Sequence, residues 1–201
     1  MTQTSSTIPR AAVVGTASGV FFMALFGTLW AYTGIMGLQG WGLPLLLVIA
    51  VIIGASLFIG GFSLISASRK LTNHVSATDV RLGKRTKLWF NIVFAAEGIA
   101  IAIAIAICNA TGHSERIPLV IAIIVGVHFF PLAPLFQVRL YYWTGALLCL
   151  LAIVTWLFVP AEFTLGEHKV ASFMFITGFG SALILWATGL AIWRIGRRLV
   201  R

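Results

Sequence analysis

Six stretches of this chain stay apolar for twenty residues or more, and that repetition limits the fold before anything else does. An α-helix rises about 1.5 Å per residue, so roughly 20 apolar residues cross the hydrocarbon of a bilayer. The stretches cover 12–34, 43–67, 88–109, 117–136, 140–159 and 170–194. Lipid offers no water to unpaired peptide N–H and C=O groups, so each stretch is predicted to be a helix. Residues 99–107 alternate Ile and Ala with the period of a strand. The surrounding run is far longer than any strand, and length decides for helix. The fold class is therefore all-α: a polytopic six-transmembrane-helix bundle. Residues 1–201 form one transmembrane domain with short connections, the longest being a basic loop over 68–87.

Composition agrees. Hydrophobic residues make up 60% of the chain and charged residues 9%, against about a quarter charged in soluble domains. A disordered chain, a disulfide-stapled secreted domain and an ordinary cytosolic enzyme are excluded. The polar residues 1–9 precede an apolar run longer than a signal-peptide core, with no small-residue cleavage site, so the first run reads as a retained span. Cys108 and Cys149 lie inside apolar runs without metal or redox spacing, and read as small buried residues.

The net charge of +9 arises from basic residues gathered at the ends of apolar runs. That placement points to membrane headgroups and not to nucleic acid. With the N-terminus inside, twelve basic residues fall on the cytoplasmic side: Arg10, Arg69, Lys70, Arg81, Lys84, Arg85, Lys87, Arg139, Arg194, Arg197, Arg198 and Arg201. Only Arg116 and Lys169 fall outside, together with Glu115, Glu162 and Glu167. The asymmetry places both termini in the cytoplasm of a cell membrane, with a bacterial plasma membrane as the expected location. Anionic headgroups are the expected partners of the basic loop and the C-terminal tail. Asn73, His74 and Asp79 in that loop lack the glycine-rich cradle of a phosphate site.

Small residues recur in the first, second and sixth spans, among them Gly15, Gly19, Gly54, Gly60, Gly61, Gly178 and Gly189. In lipid, small residues let helix backbones approach. Packing within the chain is the leading reading, and a homodimer face or a solute path is the alternative. Three spans followed by three give the arithmetic of an inverted repeat. The single internal match, Leu29-Trp30-Ala31 with Leu185-Trp186-Ala187, joins spans that would not correspond, so it reads as chance.

The candidate site is a pair of ionisable residues at mid-depth. Glu97 follows Leu88 by nine residues and His128 precedes Val138 by ten, which places each roughly 15 Å from the cytoplasmic end of its span. The two spans are consecutive, antiparallel and joined by a short outer loop, so the side chains are predicted to meet. A lone charge at the bilayer centre costs roughly 3 kcal/mol on insertion scales, and pairing relieves it. Pro131 and Pro134 lack N–H groups, which frees the carbonyls of Val127 and Phe130. Broken helices near the midplane are where transporters bind solutes and ions. The expected binding set is Glu97, His128, Pro131, Pro134, Phe94, Val127 and Phe130.

Three functions compete. The first is a small permease or channel-like protein for a small solute or ion, with Glu97 binding the proton or cation and His128 as its partner. The second is a non-transporting sensor, immunity factor or assembly subunit in which the pair is structural. The third is a lipid-modifying membrane enzyme with His128 as general base and Glu97 as its orienter, against which the missing nucleophile counts. No catalytic residue, metal or cofactor is assigned. One mid-span histidine does not serve a bis-histidine haem, and His113, Glu115, Glu162, Glu167 and His168 match no metal motif.

Overall fold

The computed structural model describes residues 10–69, 77–166 and 168–200. Six helices are long and apolar enough to cross a membrane, and the chain is a multi-pass membrane protein. They are α1 (Arg10–Gly37), α2 (Leu43–Ser68), α3 (Ala77–Ala110), α4 (Ile117–Phe136), α5 (Leu140–Phe158) and α6 (Ser172–Leu199). The segment 99–107 is helical, as its length requires. Lys70, Asn73, His74, Glu167 and Arg201 lie outside the described residues.

The spans lie where the apolar runs predict, with ends shifted by a few residues and the following differences. Helix α3 starts at Ala77, so most of the expected 68–87 loop is a helical extension carrying Lys84, Arg85 and Lys87. Its charges interrupt the apolar run, yet nothing in them stops a helix. The connection between α5 and α6 holds a hairpin, β1 (Glu162–Leu165) and β2 (His168–Ala171), with Glu162 opposite Ala171 and Leu165 opposite His168. Gly166 has φ 64, which a two-residue hairpin turn favours. Helix α6 consequently begins at Ser172 and not at 170.

Glycines decide how the helices pack. Helices α1 and α6 run antiparallel with their backbones in contact. A Cβ on Gly178 would fall on the backbone of Gly34 and lie 2.9 Å from the Trp30 carbonyl oxygen. Gly196 sits against Thr16 and Leu64, so the start of α1, the end of α2 and the end of α6 share one end of the bundle. Helix α2 docks on α1 through Gly54 against Thr28 and Gly61 against Phe21, and on α6 through Gly60 against Trp193. Helices α4 and α5 meet at Gly126 and Gly145, where a Cβ on Gly126 would lie 2.9 Å from the Gly145 oxygen. A buried hydrogen bond of 2.9 Å between the Thr144 and Thr188 hydroxyls ties α5 to α6. Most of the small-residue pattern thus serves packing within the chain; Gly15, where an added Cβ would meet nothing within 4 Å, does not.

Helix α3 is the exception. Among the described helices it packs closely only against α4, and no residue from Gly83 to Ile107 is buried. Its two glycines, Gly83 and Gly98, have nothing within contact range of an added Cβ. A cleft therefore opens between α3 and α4 on one side and α1 and α6 on the other.

Candidate functional site

The antiparallel pair α3 and α4 brings Glu97 and His128 together. Glu97 Oε1 lies 3.2 Å from His128 Nδ1, with the side chains 10% and 13% exposed. His128 Nδ1 also lies 2.6 Å from the Val125 carbonyl oxygen. A carbonyl only accepts, so Nδ1 is the protonated ring nitrogen and Nε2 is the atom left to gain or lose a proton. Neither Nε2 nor Glu97 Oε2 makes a hydrogen bond among the described residues. Neither is sealed away, either: the orphaned buried polar atoms lie on α6, at Ser172, Thr177, Ser181 and Trp186.

Both side chains line a cleft of about 1200 Å³. It runs from Lys87 and Gln137 at one end of the bundle to Ser114 and Pro118 at the other, with the pair between them. The walls are largely apolar. Toward the Lys87 end, about one to two helical turns from Glu97, rings from three helices meet. Phe22 lies 5.8 Å from Phe90 and 6.3 Å from Phe94, and Phe26 lies 6.5 Å from Phe94. Phe90 in turn lies 5.8 Å from Phe136. These contacts bridge the gap between α1 and α3 that backbone packing leaves open. Tyr141, at the start of α5, closes the same end beside Gly19 and Phe136.

Phe94 belongs to this wall, as its spacing from Glu97 predicts. The proline expectation is corrected. Helix α4 continues unbroken as α-helix through Pro131 and Pro134. Both prolines are exposed, as are Val127 and Phe130 at 54% and 39%, and none of the four lines the cleft. Successive helical residues turn by about 100°. His128 looks into the cleft along the flank of α4 that carries Val125, Phe129, Leu132 and Leu135, whereas the prolines and the freed carbonyls occupy the opposite flank. Lipid-facing rings and a single polar pair result, without carbonyl ligands from the proline turn.

Sequence reasoning missed Phe22 and Phe26. The available signal is their spacing of four residues, which puts them on one face of α1, where they stack at 6.0 Å. On the connection between α3 and α4, Glu115 Oε1 is 3.3 Å from His113 Nδ1 and 3.5 Å from Arg116 Nε. His168 stacks on Trp41 at 5.8 Å. Among the described residues no three metal-ligating side chains come together.

No curated protein and no solved structure matches the chain. A family model described as "Family of unknown function (DUF7010)" matches residues 10–188. That match takes in five whole helices, most of α6, and both members of the ionisable pair. The chain belongs to this family, DUF7010.

Proposed function

We propose that this protein is a small membrane permease or channel-like protein that takes a small solute or ion into the Glu97–His128 cleft. One observation carries the reading: an acid–imidazole pair at 3.2 Å lines a cleft that reaches from one end of the bundle to the other. A carboxylate at that depth costs free energy, and a path for solutes is a reason to keep it there. Glu97 is the proton- or cation-binding carboxylate. His128, held by the Val125 carbonyl, presents Nε2 as the relay. The charge asymmetry supports both termini in the cytoplasm and a bacterial plasma membrane. Arg194, Arg197 and Arg198 at the end of α6 suit anionic headgroups. A second copy of the chain is the partner that would complete the enclosure around the loosely packed α3.

The test is flux into proteoliposomes. Glu97→Gln is expected to abolish flux while the purified protein still elutes as a folded species. Flux unchanged by that substitution overturns the proposal, and so does flux at the empty-liposome level for every ion and solute tried.

The second reading, a structural pair in a non-transporting protein, is favoured by the Val125 bond, which already satisfies the imidazole N–H. It predicts that Glu97→Gln lowers thermal stability and that adding His128→Phe restores part of it.

A further inference from the structure

We propose that the ligand of the cleft is an amphiphilic organic monocation: an extended apolar body carrying one positive centre. The inference rests on the binding reading above and narrows it to a substrate class.

Consider first the charges that face Glu97. Helix α4 contributes His128, and α5 contributes Tyr141 near one end. Helix α3 itself contributes Lys87, ten residues away and so roughly 15 Å along the axis. Helices α1 and α6 contribute no titratable side chain to the cleft wall. Glu97 is therefore the one acidic group lining the cleft among the described residues. A ligand that competes with His128 for that carboxylate is a cation. A phosphate or carboxylate ligand would meet like charge at mid-depth, and at that level the imidazole is the one titratable donor among the described lining residues.

A bare metal ion fits poorly. Hard cations take six or more oxygen ligands when stripped of water. Three α1 hydroxyls line the cleft, those of Thr16, Ser18 and Thr33; Thr16 and Ser18 lie ten and eight residues from Phe26, roughly 12 Å or more along the helix, and Thr33 adds one neutral oxygen. Glu97 and His128 are the only side chains of the usual metal-ligating types lining the cleft among the described residues, and no cluster of three such groups is present there.

An organic cation needs less. Phe22, Phe26, Phe90 and Phe94 surround the space one to two turns from Glu97, and aromatic faces attract cations most strongly where water is excluded. The cleft volume, about 1200 Å³, exceeds the roughly 300–1,000 Å³ usual for a drug-sized ligand. Its length and apolar walls suit a hydrocarbon body; the carboxylate supplies the counter-charge.

Three probes separate charge from shape, using the full chain purified in detergent micelles. Tetraphenylphosphonium has the apolar body and the positive charge, tetraphenylborate has the same body and the opposite charge, and tetramethylammonium has the charge without the body. Saturable binding of tetraphenylphosphonium is expected, at least tenfold tighter than either of the other two. Glu97→Gln should weaken it tenfold or more, and Glu97→Asp, which keeps the charge, should retain part of it. Gly98→Trp fills the cleft from a position where a Cβ meets nothing within 4 Å, so it should abolish binding in a folded protein. Tetraphenylborate binding as tightly as the phosphonium overturns the proposal, as does phosphonium binding indifferent to Glu97→Gln. Absence of phosphonium binding, alongside Glu97-dependent flux of some other solute, refutes the substrate class and leaves the permease reading standing. Absence of any Glu97-dependent binding or flux refutes both.

Discussion

Replacing Gly178 by alanine measures what holds α6 against α1. The new methyl carbon would meet the backbone of Gly34 and sit 2.9 Å from the Trp30 oxygen, where ordinary contact begins at 3.4 Å. None of these atoms is the end of a flexible side chain, so the helices themselves must part by at least about 0.5 Å. A gap of 0.5–1 Å forfeits roughly a quarter to a half of each van der Waals contact, each worth about 0.1–0.2 kcal/mol. For a crossing of on the order of 50 atom pairs, that is a loss of about 2–4 kcal/mol. Alanine returns about 1 kcal/mol of helix propensity, which leaves a net loss of about 1–3 kcal/mol. Gly98→Ala is the control, since its methyl enters open space on α3. It should be neutral or stabilising by up to about 1 kcal/mol. Unfolding in mixed micelles of increasing SDS content, followed by the fluorescence of the seven tryptophans, reads both variants. Equal stability for the two alanine variants would refute the claim that backbone contact between α1 and α6 organises the bundle.

The remaining predictions use the same unfolding measurement. Thr144→Val removes the 2.9 Å bond to Thr188, whose hydroxyl still reaches the Ile184 carbonyl at 2.8 Å. The expected loss is therefore about 0.6 kcal/mol, the usual worth of a hydrogen bond between membrane helices, and a loss above about 2 kcal/mol would mean that the pair belongs to a larger network. Gln137 ends α4 with φ 56, a left-handed conformation that costs a residue with a Cβ about 1–2 kcal/mol. Its amide and that of Val138 return to the Pro134 and Ala133 carbonyls as a glycine-type helix end would. Gln137→Gly should accordingly stabilise the protein by about 0.5–1 kcal/mol, and a decrease would show that the glutamine side chain holds the turn.

What the sequence discloses follows from what lipid penalises. A carboxylate inside a span is costly, so Glu97 and His128 stand out from an apolar background, and antiparallel connectivity alone brings them to one level. A phenylalanine inside a span costs nothing, so Phe22 and Phe26 look the same whether they face lipid or line a cleft. The spans are apolar all round, which removes the periodicity that would tell one face from another. Pro131 illustrates the consequence. Its spacing of three from His128 suggests a shared face, yet the cleft lies along the opposite flank of the histidine, with Val125, Phe129 and Leu132. Outside the hydrocarbon the local signals are present but short. Glu162-Phe163-Thr164-Leu165 alternates polar and apolar residues before Gly166, which is a strand followed by a turn.

The distribution of small residues also explains why a cleft exists at all. Interlocking glycines fasten α1, α2 and α6 to one another, and Gly126 with Gly145 fastens α4 to α5. In lipid such close backbone approach is the main source of helix association, because apolar surface gains nothing by leaving hydrocarbon for protein. Helix α3 has no comparable contact. It is held by α4 along one side, by phenylalanine rings reaching from α1, and by the Glu97–His128 pair. Two of those three ties are side-chain contacts that line the cleft itself. A ligand of the kind proposed, engaging Glu97, would therefore act on the contacts that position α3 and not on the glycine-locked helices. The loosest packing among the described helices is therefore at α3, and the ionisable pair is one of the ties that hold it.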